Sequence, residues 1–565
     1  MIQIAVQDAI RDSPRVLIDI VSGRLCNKSE QAASFESQPV FDKLISSMTT
    51  RIDDVAIKHD VTEYYRYAMF SHRWEGKEPL FEEVIQIVVY DLGESPTHKK
   101  LKMFCEIVGD AGLRWAWSDT CCINKGDHFV LQEALVAMIK WYQGSALTVV
   151  FLCDVFSPSE RGALMRSVWN TRAWTFQEYH ASKVVRFYTK DWLPYMNLDI
   201  PNHKESPEII SEMEEATGVP ARALMALRPG LDDIREKLCL ASTRQTTLVE
   251  DAAYSLLGIF SMFLPIVYGE GDQALGRLLA QLLTNSGDTS ILAWNGRSGS
   301  FNSCFPIETR VFNQLPPSHI PPALASSETE KIIDKLLASS LNLTSVISLY
   351  DRLDELLVVS FSGQRMKLPC LTFPLEGVAA TWNVSGRVFR AHNDVLGVVE
   401  IITEEDLSRF DLLYLVHPWI DFLLNRQAAK SVLERIPENI VGQSSLYEHP
   451  SISCSSSITS VTTEARTDSF TSRFGFPFGG WPTTRRENTK SPRPPSLVSP
   501  TEMRALQVIA RLGQPFGALL LAPNPGKVAA YRRVAAETPI HVKVEEITQA
   551  VLSKLISSVR VLDVL

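Results

Sequence analysis

Between residues 66 and 189, short runs rich in β-branched and aromatic residues alternate with longer segments of helical periodicity. One such segment repeats apolar residues at Leu131, Leu135, Met138 and Tyr142, the three- and four-residue spacing of one helix face. An alternation of strand, helix and strand predicts right-handed crossovers and a parallel sheet with helices on both faces. We therefore predict an α/β fold with strands at residues 66–71, 113–117, 147–153 and 184–188.

The residues that follow the predicted strands mark where a ligand would bind. In an open parallel sheet, ligands bind just beyond the carboxyl ends of the strands. Those ends carry residues 71–74 (Ser-His-Arg-Trp), 118–122 (Ser-Asp-Thr-Cys-Cys) and 153–154 (Cys-Asp). We expect these three segments to lie at one edge of the sheet.

The rest of the chain divides by periodicity and composition. Residues 207–288 have a helical pattern, with amphipathic segments at 248–260 and 273–283, whereas β-type runs follow past 300. A Ser-, Thr-, Pro- and Gly-rich stretch cannot bury enough apolar surface to fold, and the β-type runs on its two sides are read as one split module. The predicted organisation is a lead-in at 1–62, an α/β domain at 63–200, a helical extension at 201–296, a β-rich module at 297–440 and 504–565, and a disordered linker at 441–503.

Composition and charge exclude several classes of protein. The 565 residues are 45% hydrophobic and 21% charged, as is typical of a globular protein. The net charge of −9 argues against a nucleic-acid partner. The nine scattered cysteines are typical of reduced thiols, and neither a signal-peptide core nor an apolar run of about 18 residues occurs. We expect a cytoplasmic protein with no membrane span.

Several motifs follow one another in a fixed order. They are YAMFSHRW from Tyr67, GLRWAWSDTCCIN from Gly112 and RAWTFQE from Arg172, followed by LASTRQTT at 240–247, EDAAYSLLGIF at 250–260, YGEG at 268–271 and ILAW at 291–294. In this order they resemble the fungal heterokaryon incompatibility (HET) domain and the segment that follows it, over residues 65–295. The chain departs from the family pattern with His72 in place of an aromatic residue and Lys125 in place of a glutamine.

The resemblance implies a role in fungal non-self recognition and regulated cell death, a form of innate immunity, with self-association or a recognition partner. HET domains are similar to TIR domains, which are flavodoxin-like and in some cases hydrolyse NAD. The resemblance thus implies a flavodoxin/TIR-like sheet, with NAD as a substrate and no other cofactor. The TIR pattern Trp-x-x-x-Glu matches Trp174 and Glu178. This implies that Glu178 is catalytic and that the nucleotide is bound by Ser71, Arg73, Trp74, Asp119 and Trp174.

The physical reason for a carboxylate at this site is the charge of the transition state. Cleavage of the bond between ribose and nicotinamide passes through an oxocarbenium-like state, which a nearby carboxylate stabilises. Because four residues separate Trp174 from Glu178, both lie on one helix face, where the indole would partly desolvate the acid.

Structural roles are the alternative for the same residues. Glu178 would then pair with Arg172 or a neighbouring helix, Asp119 would cap a turn, and the tryptophans of these motifs would pack in the core. In that case the domain would be a non-catalytic adaptor module. Three further patterns receive mainly structural interpretations: Cys121 and Cys122 as buried thiols rather than a nucleophile or zinc ligands, Gly269–Gly271 as a turn between helices, and Arg244 with Glu250 and Asp251 as an ion-pair network.

Overall fold

The computed structural model describes residues 1–48, 53–217, 227–313, 322–339, 341–356, 358–383, 386–418, 499–527 and 529–565. The chain divides into two compact units. All the elements below belong to the first unit, which consists of residues 1–421 together with residues 500–565. Most of the predicted linker, 441–498, lies outside the described residues, whereas a helix begins at Pro500. Among the described residues, no helix combines the length and the apolar character needed to cross a membrane.

The first sheet has six strands in the order β2-β1-β4-β3-β5-β6. Strands β3 to β6 run parallel to one another, which confirms the predicted parallel sheet with its boundaries moved by one or two residues. The two strands before residue 62 add an antiparallel edge through β1, which pairs with β4. The strands are β1 Val16–Asp19, β2 Arg24–Asn27, β3 Tyr67–His72, β4 Trp115–Trp117, β5 Leu147–Phe151 and β6 Val185–Tyr188.

Helices cover both faces of this sheet. The side chains of β3 alternate between the two faces and contact a helix on each. On one face, Phe70 stacks on Phe104 of α6 with ring centres 4.4 Å apart. On the other, the Tyr67 hydroxyl donates a hydrogen bond of 2.7 Å to the Trp141 carbonyl of α7. The helices of this region are α1 Ile2–Arg11, α2 Lys28–Glu36, α3 Pro39–Met48, α4 Asp54–Tyr64, α5 Phe81–Val84, α6 Pro96–Asp110, α7 His128–Gly144, α8 Ala163–Arg166 and α9 Trp174–Ala181.

A helical segment follows the sheet, with α10 Pro207–Thr217, α11 Ile234–Ser242, α12 Asp251–Tyr254 and α13 Gln273–Ser286. The predicted helix at 273–283 is confirmed, but the one predicted at 248–260 is wrong in length. Only Asp251–Tyr254, α12, is α-helical. Turns with hydrogen bonds to the third residue back follow α12. The Leu256 N–H donates to the Ala253 carbonyl, and the Leu257 N–H donates to the Tyr254 carbonyl. These turns bury apolar side chains on every side, which a one-faced helix would not do: Leu256, Leu257, Ile259 and Phe260 are all buried.

The C-terminal region is rich in strands, as predicted. Strands β8, β12, β13, β14 and β16 each pair with the next, and β16 also pairs with β8, which closes a ring of five strands. Strands from both sides of residues 419–498 therefore share one ring. The elements are α14 Pro322–Ala338, α15 Leu343–Asp354, β7 Ser360–Ser362, β8 Arg365–Pro374, β9 Glu376–Asn383, β10 Gly386–Asn393, β11 Gly397–Ile402, β12 Tyr414–Pro418, α16 Pro500–Leu512, β13 Phe516–Pro523, β14 Ala530–Arg533, β15 Ile540–Val542, α17 Gln549–Ser558 and β16 Val559–Val564.

One buried arginine joins the ring to the end of the helical segment. Arg533 of β14 donates a hydrogen bond of 2.8 Å to the Leu292 carbonyl and a second to the Trp294 carbonyl. Its guanidinium also lies 3.9 Å from the centre of the Trp294 ring. The side chain is only 7% exposed, so its removal would take a buried donor from both carbonyls and leave the Leu292 carbonyl with only the Trp294 N–H.

We expect Arg533→Ala to lower the free energy of unfolding by about 3 kcal/mol, the effect of losing charged hydrogen bonds in a buried site. In urea denaturation of the full chain, the change appears as a lower urea concentration at the unfolding midpoint. Arg560→Ala is the matched control, since Arg560 lies on the exposed side of β16 and should be nearly neutral. Equal destabilisation by the two variants would contradict the role given to Arg533.

Candidate active site

Strand β3 brings two polar side chains to the carboxyl edge of the sheet. Ser71 faces α7 and α9, whereas His72 faces α6 and stacks on Phe70 with ring centres 4.2 Å apart. From β3 the chain crosses to β4 on one side and later to β5 on the other. The edge beyond β3 is therefore the point where the strand order reverses, the place where parallel sheets bind ligands.

Helix α9 places Glu178 directly over Ser71. The Ser71 hydroxyl donates a hydrogen bond to Glu178 Oε2 and accepts one of 2.8 Å from the Trp169 indole N–H. With a donor on one side and an acceptor on the other, the hydroxyl can adopt only one orientation. The predicted neighbours Ser71 and Glu178 are thus in contact, and Trp169 holds the hydroxyl between them.

The pKa of the Glu178 carboxyl group is shifted toward neutral pH. Its pKa is raised to about 7, mainly by burial and also by the nearby charge of Asp119, whereas Ser71, Arg172 and Tyr142 act in the opposite direction. Among the described residues, no basic side chain forms an ion pair with Glu178. The alternative of an ion pair with Arg172 is therefore wrong, and the carboxyl group can exchange a proton near pH 7.

A second carboxylate, Asp119, follows β4 at the same edge. Its Oδ2 accepts a hydrogen bond of 2.8 Å from the Trp74 indole, and its Oδ1 lies 4.0 Å from His72 Nε2. Burial raises the pKa of Asp119, although its side chain remains 33% exposed. Asp119 therefore lies at the surface of the site, where a ligand can reach it, rather than capping a turn.

Cationic side chains surround these two carboxylates. Lys100 is already engaged, because it donates hydrogen bonds to Glu78 Oε1 and to the Arg73 carbonyl. Lys125 differs, since its Nζ is buried without a hydrogen-bond partner in the described structure and lies 3.7 Å from the centre of the Trp74 ring. Burial lowers the pKa of Lys125, and the charge of Asp119 opposes that effect.

His72 is neutral in this environment. Burial, followed by the charges of Lys100, Arg172 and Lys125, holds its pKa well below the usual value. Both of its ring nitrogens are buried, and neither has a hydrogen-bond partner among the described residues. Both departures from the family pattern, His72 and Lys125, thus lie inside the site. In the sequence they stand out only as departures from the family pattern, which by itself does not indicate a position inside the site.

Two of the predicted nucleotide-binding residues lie apart from the Ser71–Glu178 pair. The Arg73 side chain is exposed, and its charge acts on Cys153 beyond β5. Trp174 hydrogen-bonds Asp251 of the helical segment, although it shares α9 with Glu178. Of the other three predicted residues, Ser71 contacts Glu178, whereas Trp74 bonds Asp119, whose charge acts on Glu178. Of the motif tryptophans, Trp115, Trp117 and Trp169 are buried in the core, as the structural interpretation predicted.

The predicted ion-pair network of Arg244, Glu250 and Asp251 is not what the structure shows. The Glu250 carboxylate instead accepts hydrogen bonds of 2.8 and 2.9 Å from the N–H groups of Gly269 and Gly271. Positive φ angles at both glycines let the loop turn its amides inward. The loop is therefore a connection between helices whose concave side is already filled by a carboxylate of its own chain.

Cys121 and Cys122 are buried thiols. Their side chains are 0% and 4% exposed, and burial raises the pKa of Cys122 well above its usual value. A thiol that remains protonated is a poor nucleophile. The catalytic interpretation of these cysteines is therefore unsupported.

The chain is 32% identical over 233 residues to vegetative incompatibility protein HET-E-1 from Podospora anserina. It is a distant relative of that protein. The similarity covers 39% of this chain but only 16% of the relative. The predicted relationship to incompatibility proteins is confirmed to this extent. No protein-family model matches the chain, and no solved structure matches it.

The raised pKa of Glu178 predicts a pH-dependent stability. A carboxyl group whose folded-state pKa is about 7 rather than 4.5 favours the folded state when it is protonated. Its contribution to the free energy of unfolding is therefore full below pH 4.5 and is lost as the pH rises through 7. We expect Glu178→Gln to stabilise the protein relative to wild type by about 2 to 3 kcal/mol more at pH 8 than at pH 4.5.

Urea denaturation at the two pH values measures this difference. Glu214→Gln is the control, since Glu214 is an exposed carboxylate on α10, and it should leave the pH dependence of wild type unchanged. A Glu178→Gln curve parallel to that of wild type would show that Glu178 titrates at an ordinary pKa.

Proposed function

We propose that this protein acts in vegetative incompatibility and that its α/β domain hydrolyses NAD with Glu178 as the catalytic residue. The observation that carries the proposal is the Glu178 carboxyl group, bonded to the Ser71 hydroxyl rather than to a cation, at the edge where the strand order reverses. The similarity to HET-E-1 supports the biological role. A cytoplasmic location and regulated cell death are parts of the same proposal.

The arrangement of strands supports a flavodoxin/TIR-like assignment for this domain. Numbered in chain order, the four parallel strands β3, β4, β5 and β6 occupy the positions 2-1-3-4 across the sheet. This is the order of the first four strands in flavodoxin-like sheets, which bind their ligand beside the first and third strands. Ser71 ends the first of these strands, so the proposed catalytic pair lies at that position.

The proposed reaction uses Glu178 in its ionised form. The carboxylate stabilises positive charge on the ribose as the bond from C1′ to the nicotinamide nitrogen breaks. The electron pair of that bond leaves with nicotinamide, which becomes neutral, and a water molecule adds its oxygen to C1′. Glu178 accepts the proton of that water and releases it to solvent, so the products are ADP-ribose, nicotinamide and a proton. A pKa of about 7 suits both steps.

Lys125 and Arg172 are the groups best suited to the diphosphate of the dinucleotide. The Nζ of Lys125 is buried beside Trp74 without a hydrogen-bond partner in the described part of the chain. Arg172 lies close enough for its charge to act on Asp119 and on Glu178. A phosphate oxygen would satisfy the Lys125 ammonium, which otherwise remains desolvated.

We expect the full chain to release nicotinamide from NAD and Glu178→Ala to lower that rate by about 100-fold or more. Release of nicotinamide is measured by chromatography at protein concentrations high enough for self-association. Glu214→Ala is the control and should retain the wild-type rate. A folded Glu178→Ala protein with the wild-type rate, or a wild-type protein without any release, would refute NAD hydrolysis at this site.

We expect Lys125→Met to raise the KM for NAD about 10-fold, equivalent to about 1.4 kcal/mol of lost binding, with little change in kcat. Methionine keeps the length of the side chain and removes its charge. Lys140→Met on the exposed side of α7 is the matched control. A decrease in kcat at constant KM would instead place Lys125 near the reacting atoms.

A non-catalytic interaction module is the second candidate, and one observation favours it. Several large apolar side chains between β3 and α7 or at the start of α7 are exposed: Leu80 by 39%, Ile85 by 49%, Ile87 by 42% and Phe129 by 70%. Exposed apolar groups of this size are typical of surfaces that contact another protein. Under this alternative, Glu178→Ala would leave incompatibility intact in cells, whereas polar substitutions at Ile85 and Phe129 would abolish it.

A further inference from the structure

Helix α9, which carries Glu178, begins without a cap of its own. The residue before it is Ala173, whose side chain cannot accept a hydrogen bond from the first turn. A helix start without a capping side chain is fixed less firmly by its own residues, so contacts from other segments matter more for its position. Glu178 lies about one turn into the helix, so any fraying of this start would displace its carboxylate from Ser71.

Arg244, which follows α11 in the helical segment, holds this region through oxygen atoms rather than through the free N–H groups of α9. Its Nη1 donates hydrogen bonds of 3.0 Å to the Arg172 carbonyl and 3.1 Å to Thr175 Oγ1. Its Nη2 donates one of 3.3 Å to Asn170 Oδ1. The guanidinium also lies 5.0 Å from the centre of the Phe176 ring. One buried side chain thus contacts residues on both sides of the point where α9 begins.

The backbone of Gln245 adds two hydrogen bonds to the segment that precedes α9. Its N–H donates a hydrogen bond of 2.6 Å to the Thr171 carbonyl, and its carbonyl accepts one of 3.0 Å from the Ala173 N–H. These two bonds form an isolated parallel bridge with the segment around Arg172. The Gln245 side chain is exposed, so only its backbone takes part.

We propose that Arg244 and Gln245, here called the 244–245 clamp, are positioning residues for Glu178. The clamp fixes the start of α9 and thereby keeps the Glu178 carboxylate against the Ser71 hydroxyl. The α/β sheet and the helical segment are accordingly one catalytic unit, although the motifs in the sheet carry the reacting groups. This inference rests on the proposed role of Glu178.

The protonation midpoint of Glu178 reports its position without requiring NAD. The groups that act on it are Ser71, Asp119, Arg172 and Tyr142, while Arg244 is close enough for its own pKa to respond to Glu178. If the clamp is lost, Glu178 leaves its buried place beside Ser71, and its midpoint falls from about 7 toward 4.5. Loss of the positive charge of Arg244 alone would move the midpoint upward, so the sign separates displacement from a simple charge effect.

The test compares two pairs of variants in the full chain, with carboxyl NMR of Glu178 and nicotinamide release as readouts. Gln245→Pro removes the backbone donor, whereas Gln245→Ala keeps it. Arg244→Ala removes the guanidinium, and Arg244→Lys keeps the charge without the forked donors. We expect Gln245→Pro and Arg244→Ala to lower the midpoint by about one pH unit or more and turnover about 10-fold, with partial recovery in Arg244→Lys and none of these effects in Gln245→Ala.

Asn170→Ala serves if the stronger variants do not fold, because it removes only one acceptor of Arg244 from a partly exposed position. We expect a smaller shift of the midpoint in the same direction. An unchanged or higher midpoint in the folded variants would overturn the clamp. If wild type releases no nicotinamide but the midpoints move as expected, the clamp holds and NAD hydrolysis fails.

Discussion

The site depends on one hydroxyl group, that of Ser71. It lies at the end of the central strand, accepts a hydrogen bond from Trp169 and donates one to Glu178. These bonds connect a buried strand, the loop that precedes α9 and α9 itself. Because the strand is buried on both faces and the indole is fully buried, the hydroxyl has no alternative partner in water. The carboxyl group above it therefore has one defined position relative to the sheet.

Burial without a counter-ion is what makes this carboxyl group chemically useful. An arginine bonded to Glu178 would keep it ionised at every physiological pH. A neutral hydroxyl partner offsets less of the desolvation, so the two protonation states have similar energies near neutrality. The nearby Arg172 and Lys125 provide positive charge without neutralising Glu178 directly. The site thus keeps its acid and its cations separate, an arrangement that suits the anionic substrate we propose.

The fold of the sheet could be predicted, since alternation of buried β-type runs with one-faced helices has few other solutions. The placement of Ser71, Trp74 and Asp119 at one edge was also predictable, because residues that follow parallel strands converge there, and the Trp-x-x-x-Glu motif pointed to Glu178. Their binding and catalytic roles stay predictions. Arg244 was not predictable as a clamp. Its acceptors are carbonyl, hydroxyl and amide oxygens around residues 170–175, and no charge pattern in the sequence marks such partners. The turns after α12 were missed because a run buried on all sides has no periodicity to read.

The five-stranded ring also has a consequence for how the chain tolerates variation. Strands β12 and β13 pair directly, yet residues 419–498 and α16 separate them along the sequence. The ends of that intervening stretch are held by the ring whatever sequence joins them. The entropy of closing any flexible loop between two paired strands grows only with the logarithm of its length. Doubling the length of such a loop costs about 0.6 kcal/mol. Related chains can therefore gain or lose long insertions at this point while keeping the ring, and length differences among them should concentrate there.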